Sequence, residues 1–362
     1  MAEVDFLLGA AFEAQSTAGT AQTMPAIGGG SGTAGAINNV TDGAVMGDPD
    51  SGTGETGIEY QWGRKSTEKA VITGSFSKGF SNFIGRTLEG LSVTIPMKGN
   101  GGTTSTPAVS ADFTPDIGLA ALWASAGLPG AGSGSLWGLT PGPTQIATAA
   151  LYLGNASGNG ARAIMRDLIS DTVTLEFTPG EIGRATFSLS GEFATFDEGG
   201  TWPASPFEYG NQGTLSAPPV QNVSFQWGPN TPAVRSIGFE SLSIEINNEA
   251  TVSPGSNFAL GERSRQEGRT ITASGVIDAD SAEILFEMNQ LGEASISNAE
   301  SLTFTVGTIA GSAATANAYT ISMLTPELTS LEPAKIAGSQ GWSIELVGRA
   351  TVSGSEFDLQ FK

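Results

Sequence analysis

One phrase occurs twice in this chain and restricts what the chain can become. EGLSVTIPMKG begins at Glu89, and EGRTITASG begins at Glu267. Each reads Glu-Gly, two variable residues, then a β-branched pair ending in Thr. In the first copy Leu91, Val93 and Ile95 alternate with Ser92 and Thr94. Alternation of this kind marks a half-buried strand, because successive side chains point to opposite faces of a sheet. Two such strands about half a chain apart lead us to expect an internal duplication of one β unit. Two unrelated β domains are the alternative.

The surrounding order agrees with duplication. IEYQWGRKSTEKAVITGSFSKGF, from Ile58, is strand-like, with β-branched and aromatic runs broken by Gly and Lys. In TPDIGLAALWASAGLPG, Thr114 suits an N-cap, Pro115 the first helical position and Asp116 the helix dipole. Leu119, Leu122, Trp123 and Ala126 would form one apolar face of a short amphipathic helix that Gly127 and Pro129 stop. TVTLEFTPGEIGRATFSLSGEF reads as a hairpin that turns at Pro179-Gly180. In the second half SLSIEINN is a strand, the Glu-Gly phrase follows, and DADSAEILFEMNQLG is a second capped helix with Asp280 and Glu283 as a capping box. SLTFTVGT, YTISMLTPEL and GWSIELVGRATV read as further strands. The expected organisation is an N-terminal arm at 1–57, a first β domain at 58–200, a Pro/Gly linker at 201–219 and a second β domain at 220–362. Fold class is mainly β: two tandem sandwich or half-barrel units, each with a short helix, behind a flexible Gly/Ala-rich arm.

Composition narrows the function. The 50 glycines and 18 prolines of this 362-residue chain disfavour a helical protein. With 36 acids against 16 bases the net charge is −20, so a surface that grips nucleic acid or anionic lipid is not expected. A surface past which DNA slides without sticking is compatible with that sign; solubility charge is the plain alternative. Neither Cys nor His occurs. That leaves no disulfide framework, no thiolate nucleophile, no ordinary zinc site and no histidine base. MAEVDFLLGAAF has no basic leader, and no stretch has the roughly 20 apolar residues of a membrane helix. Phosphate-loop and dinucleotide fingerprints are also missing. Asp48–Glu55 lacks the spacing of a calcium loop. Glu176, Glu181, Glu245 and Asp278 could in principle form an acid pair, but their places are those of ordinary strand and turn acids. We therefore expect no enzyme, no metal and no cofactor.

What remains is a chain suited to assembling with itself through strand edges and an arm. Arg263, Arg265 and Arg269 are candidates for an intersubunit patch facing acids on a neighbour, with a solvated strand and turn as the plain reading. Phe80 and Phe83, in SFSKGFSNF with Phe76, are candidates to cover a neighbouring subunit, or equally to be core. Glu89, Gly90, Glu267 and Gly268 are the anchors of the repeat.

These stretches resemble the tail tube proteins of long-tailed, siphovirus-type bacteriophages. FEAQSTAGTAQTMPAI is similar to that family's early segment, and TGIEYQWGRKSTEKAVITGSFSKGF to its next block. TLEFTPGEIGRATFSLSGEF looks like its strand–Pro–strand hairpin. SLSIEINNEATV followed by EGRTITASG resembles the opening of a second tube domain. The Gly/Ala-rich insert at Gly28–Gly54 and the Pro-rich linker at Trp202–Pro219 depart from the family's pattern. The resemblance implies a structural virion protein, made in the bacterial cytoplasm. Its rings would stack into a tube whose acidic lumen conducts double-stranded DNA at ejection. It also implies contacts with tail terminator and distal tail or baseplate proteins, and none with a membrane. Two tube domains per chain would make a trimeric ring with pseudo-sixfold symmetry; a hexamer with one half outside is the alternative. A virion decoration or surface-binding β protein without a lumen is the competing reading.

Overall fold

A computed structural model describes residues 7–16, 20–21, 43–47, 57–61, 66–72, 78–84, 88–97, 117–133, 136–155, 159–200, 218–221, 225–227, 235–252, 264–266, 268–278, 302–308, 317–323, 326–336, 339–348 and 356–361. The first half contains β1 (Leu7–Ala14), β2 (Gly43–Gly47), β3 (Gly57–Gln61), β4 (Ser66–Ile72), β5 (Lys78–Ile84) and β6 (Leu88–Pro96). After α1 (Ile117–Ser125) come β7 (Gly130–Ser133), β8 (Leu136–Leu139), β9 (Ala147–Asn155), β10 (Asn159–Phe177) and β11 (Arg184–Gly200). The second half contains β12 (Phe225–Trp227), β13 (Arg235–Asn247), β14 (Ala250–Val252), β15 (Ser264–Gln266) and β16 (Thr270–Asp278). It ends with β17 (Leu302–Thr308), β18 (Asn317–Met323), β19 (Pro326–Ile336), β20 (Ser339–Gly348) and β21 (Asp358–Phe361). The protein is mainly β and is built from large antiparallel sheets.

Eight strands form one continuous antiparallel run, β3-β6-β11-β10-β13-β16-β20-β19. Four come from each half, and both quartets have the same order. An opening strand is followed by the Glu-Gly strand, then by the second arm and the first arm of a hairpin. An excursion leaves each quartet at the same place, as the β4–β5 pair between β3 and β6 and the β14–β15 pair between β13 and β16. The quartets meet where β10 pairs with β13, from Thr172↔Asn247 to Phe177↔Leu242.

Alternation explains why this run has one dry face. Leu91, Val93 and Ile95 are buried, as are Val173, Leu175 and Phe177, Ala185, Phe187 and Leu189, and Leu242, Ile244 and Ile246. Opposite them lie β9, β1 and β2, which continue from the first part of β10, and a second array, β7-β8-β21-β18-β17-β12, which joins the start of β13. The core is shared between halves. Trp123 meets Phe187 edge-on at 4.7 Å and Phe361 at 6.1 Å, and Phe177 meets Phe304 at 5.0 Å. β21, from the end of the chain, pairs with β8 from the first half.

β10 must bend to serve both β9 and β13, and it does so through bulges between Arg166 and Ile169 and between Ser170 and Thr172. Asp167 takes a left-handed φ of 52° there. Its strain is held by buried partners. Gln15 Nε2 donates to Asp167 Oδ1 at 2.6 Å, and the Asp167 N–H donates to Gln15 Oε1 at 2.8 Å. Thr148 Oγ1 also donates to Gln15 Oε1, at 3.1 Å. Gly191 on β11 lies so close to this bulge that a Cβ would strike the Leu168 side chain and the Arg166 carbonyl.

Several expectations need correction. Leu7–Ala14, assigned to an arm, form β1, and Ala10, Ala11 and Phe12 are fully buried. Sheet pairing with β9 outweighs the small, polar sequence that follows. Over its described side chains the helix is not amphipathic: Ala121 to Ala126 are all buried, whichever way they point around the axis. Its end is as expected. Gly127, at φ 72°, donates to Ala124 O and Leu128 N–H donates to Trp123 O, each at 3.0 Å, a Schellman ending. β11 runs on to Gly200, up to the expected start of the linker. The linker's last residues return to the hairpin tip, where Ile182 bridges Pro219 and Val220 is buried. Thr114, Pro115 and Asp116, the second helix, Asp48–Glu55 and residues 201–217 lie outside the described residues.

Candidate functional site

The other face of the eight-strand run is a carpet of hydroxyls and carboxylates. Its rows follow the register. One passes Glu59, Ser92, Ser188, Thr172, Asn247 and Thr270. The next passes Thr94, Thr186, Thr174, Glu245, Thr272, Val347 and Glu327. A third passes Arg184, Glu176, Ser243, Ser274, Glu345 and Ser330. Ser241, Val276, Ser343 and Glu332 begin a fourth. Small β-formers suit this position, since Thr packs well on a pleated surface and its hydroxyl can bond across strands. Thr94 and Thr186 are joined in this way at 3.0 Å.

Charge on this face has one sign with one exception. Glu59, Glu176, Glu245, Glu327, Glu332 and Glu345 stand on it and are exposed, and Arg184 is the single cation of these rows. Arg184 lies directly across from Glu176, so its charge is locally offset. A groove of about 390 Å³ opens beside it, lined by Glu176, Glu181, Arg184, Ser243, Ser274 and Ser343. Acids outnumber the cation within the groove, so it offers no built anion site. A surface of this charge repels a polyanion.

The joint between the quartets is locked at one end by a buried polar knot. Asn248 is fully buried just after β13. Its Nδ2 donates to Ala126 O and to Ser170 O, each at 2.9 Å, and its own N–H donates to Asp171 O at 2.9 Å. Arg269 Nε donates to Asn248 Oδ1 at 3.1 Å, and Nη2 donates to Gly142 O at 2.5 Å. Arg269 Nη1 stands 3.9 Å from Glu356 Oε1. Burial lowers the Arg269 pKa, and the Glu356 carboxylate opposes that shift. The end of α1, the bend of β10, the start of β16 and the C-terminal segment are thereby tied together.

Arg269, expected on an intersubunit patch, is thus corrected: its side chain is 11% exposed and its acidic partner belongs to the same chain. Nothing in its sequence neighbourhood marks Glu356 or Asn248 as partners, because both are distant along the chain. Phe80 and Phe83 are placed on β5 opposite Ala70 and Thr67, and Arg265 on β15 opposite Thr251. Phe80, Phe83 and Arg265 therefore fall on the two excursions; their side chains are not among those described. Arg263 and Glu267 lie outside the described residues. Glu89 and Gly90 sit inside β6, paired with Gly191 and Ser190, whereas Gly268 precedes β16. The anchors mark equivalent strands but are displaced along them.

Among the described residues there is no group of three or more acids placed to hold a metal ion, and no helix long and apolar enough to cross a membrane. Glu176 and Glu245 are exposed on the polar face, and Glu181 is exposed in the hairpin turn. No protein-family model matches this chain, and no curated protein matches it.

Proposed function

We propose that this chain is a ring-forming structural subunit of a bacteriophage tail tube, with the hydroxyl and carboxylate face lining a lumen that conducts double-stranded DNA. The observation that carries the reading is the eight-strand run itself. It consists of two quartets in the same order, joined edge to edge, with one dry face and one acidic polar face. A duplicated unit that already joins to its own repeat can join to another copy in the same way, and closing the ring removes the exposed edges.

Geometry favours three copies. With strands about 4.8 Å apart, two copies of eight strands give an untilted backbone circle about 24 Å across, and three copies give one about 37 Å across. Side chains narrow the bore and strand tilt widens it; untilted, three copies leave room for a duplex about 20 Å wide and two do not. The proposed ring is a trimer with pseudo-sixfold symmetry, located in the virion. Its proposed partners are further copies of itself, tail terminator and distal tail or baseplate proteins, and transiting genomic DNA. Negative-stain microscopy of concentrated protein should show rings or tubes of uniform bore. A monodisperse monomer that does not polymerise even when seeded by tail initiator components would overturn the reading.

A further inference from the structure

The strands β3 and β19 end the eight-strand run, each with one hydrogen-bonded neighbour among the described strands. All seven pairings between them are antiparallel, so β3 and β19 run in opposite directions. A second copy can therefore continue the sheet antiparallel, as β13 continues it from β10.

The internal joint supplies a register. Thr174-Leu175-Glu176 on β10 has a counterpart in Ser330-Leu331-Glu332 on β19. Matching Leu175 with Leu331 and following the ladders strand by strand, through β11 and β20 and then β6 and β16, places Ile58-Glu59 on Ile244-Glu245. The two short sequence matches, Leu-Glu and Ile-Glu, thus agree although they sit at opposite sides of the quartet. Within the chain Thr174 faces Glu245 and Leu175 faces Ile244.

We propose that β19 of one copy pairs antiparallel with β3 of the next, with Ser330 opposite Glu59, Leu331 opposite Ile58 and Glu332 opposite Gly57. The proposal rests on the ring reading above and adds the residues of its joint. Three observations support this register. It puts the part-buried Leu331 beside Ile58, as Leu175 lies beside Ile244, and so carries the core across the joint. It puts the exposed Glu59 and Glu332 on the polar face with the rest of the carboxylates. It also places pairing within the six residues Glu327–Glu332, between Pro326 and Pro333, a span that accommodates the five residues of β3. Proline donates no ladder hydrogen bond and so bounds the joint.

The chain has no native cysteine, so disulfide trapping reads the joint directly. Residues directly opposite across antiparallel strands come within disulfide reach, and those two positions away do not. Full-length protein with Glu59→Cys and Ser330→Cys, assembled and oxidised, should give a covalent ladder ending at three chains. Its yield should be at least about tenfold that of Glu59→Cys with Glu332→Cys. Mixing the two single variants guards against a misfolded double variant and should give covalent dimers. Thr174→Cys with Glu245→Cys should close within one chain and reports the internal joint. Rings seen by microscopy without the Glu59–Ser330 crosslink, or with equal yield from the displaced pair, would overturn the proposed joint and leave the ring reading standing. A crosslinked ladder that runs past three chains without rings would confirm the joint and overturn the ring reading. Absence of both crosslink and ring would overturn both.

Discussion

The internal joint and the two outer edges of the long sheet are made from equivalent strands but are treated differently. Where β10 meets β13, Val173, Leu175, Ile244 and Ile246 are fully buried, and Asn248 locks the end by donating three hydrogen bonds and accepting one from Arg269. On β19 the equivalent stretch is bounded by Pro326 and Pro333 and carries exposed Glu327, Thr329 and Glu332. Proline and charge are how natural edges avoid indiscriminate pairing. A joint inside one chain can rest on a core and a buried knot. The proposed joint between chains would have to stay soluble while unpaired, and a short window with like charges suits that need.

Breaking the internal joint should have the largest effect. Leu175→Ala removes a fully buried side chain and should cost about 2–5 kcal/mol, read as a lower urea midpoint. Asn248→Ala removes the acceptor of Arg269 Nε and the side-chain donor to the Ala126 and Ser170 carbonyls, and should cost about 2–3 kcal/mol by the same measurement. Leu331→Ala should lower the stability of the single chain by about 1 kcal/mol or less, because the residue is only part-buried there. It should instead reduce ring yield. A cost equal to that of Leu175→Ala would mean that β19 is no edge. Salt sharpens the contrast: ring assembly should strengthen from low to moderate ionic strength as the Glu59 and Glu332 charges are screened, while the urea midpoint moves little.

The smallest effect concerns Asp171, beside the knot. Burial raises its pKa, and a hydrogen bond from Ser190 opposes the shift. A raised carboxyl pKa contributes stability below the ordinary carboxylate range, and that contribution is lost as pH rises through the folded value. At neutral pH the charge is therefore a net cost. Asp171→Asn should raise the thermal midpoint slightly at neutral pH, and the gain should vanish by about pH 3. A loss of stability at neutral pH would contradict this assignment.

Much of the fold was legible because alternation is a local signal. The hairpin from Thr172, the strand from Leu91 and the strand from Leu242 each bury the residues their pattern names. Pairing was not legible, since β10–β13 and β8–β21 join residues far apart in sequence. The two Glu-Gly phrases fall at strands that hold the same place in the two quartets, but not in the same register. Aligning Glu89 with Glu267 differs by two residues from the alignment that matches Leu175 with Leu331 through the ladders. A two-residue slip keeps every side chain on its own face, so a period-two pattern cannot detect it. The helix misled for a related reason: Leu119, Leu122, Trp123 and Ala126 make an apolar stripe, but the intervening alanines are compatible with burial on every side. Arg269 misled because a buried cation near an acidic tail looks, in sequence, like any solvated arginine. The polar face was visible only as the unremarked half of each strand.

The central claim is that the carboxylate face lines a closed ring. Electron microscopy of assembled protein, averaged without imposed symmetry, tests it most directly. The account predicts a ring of three chains around a uniform bore, with a near-sixfold wall and the Glu176 and Glu245 face turned inward. Rings of six chains with one quartet outside, or particles with that face turned to bulk solvent and no bore, would contradict it.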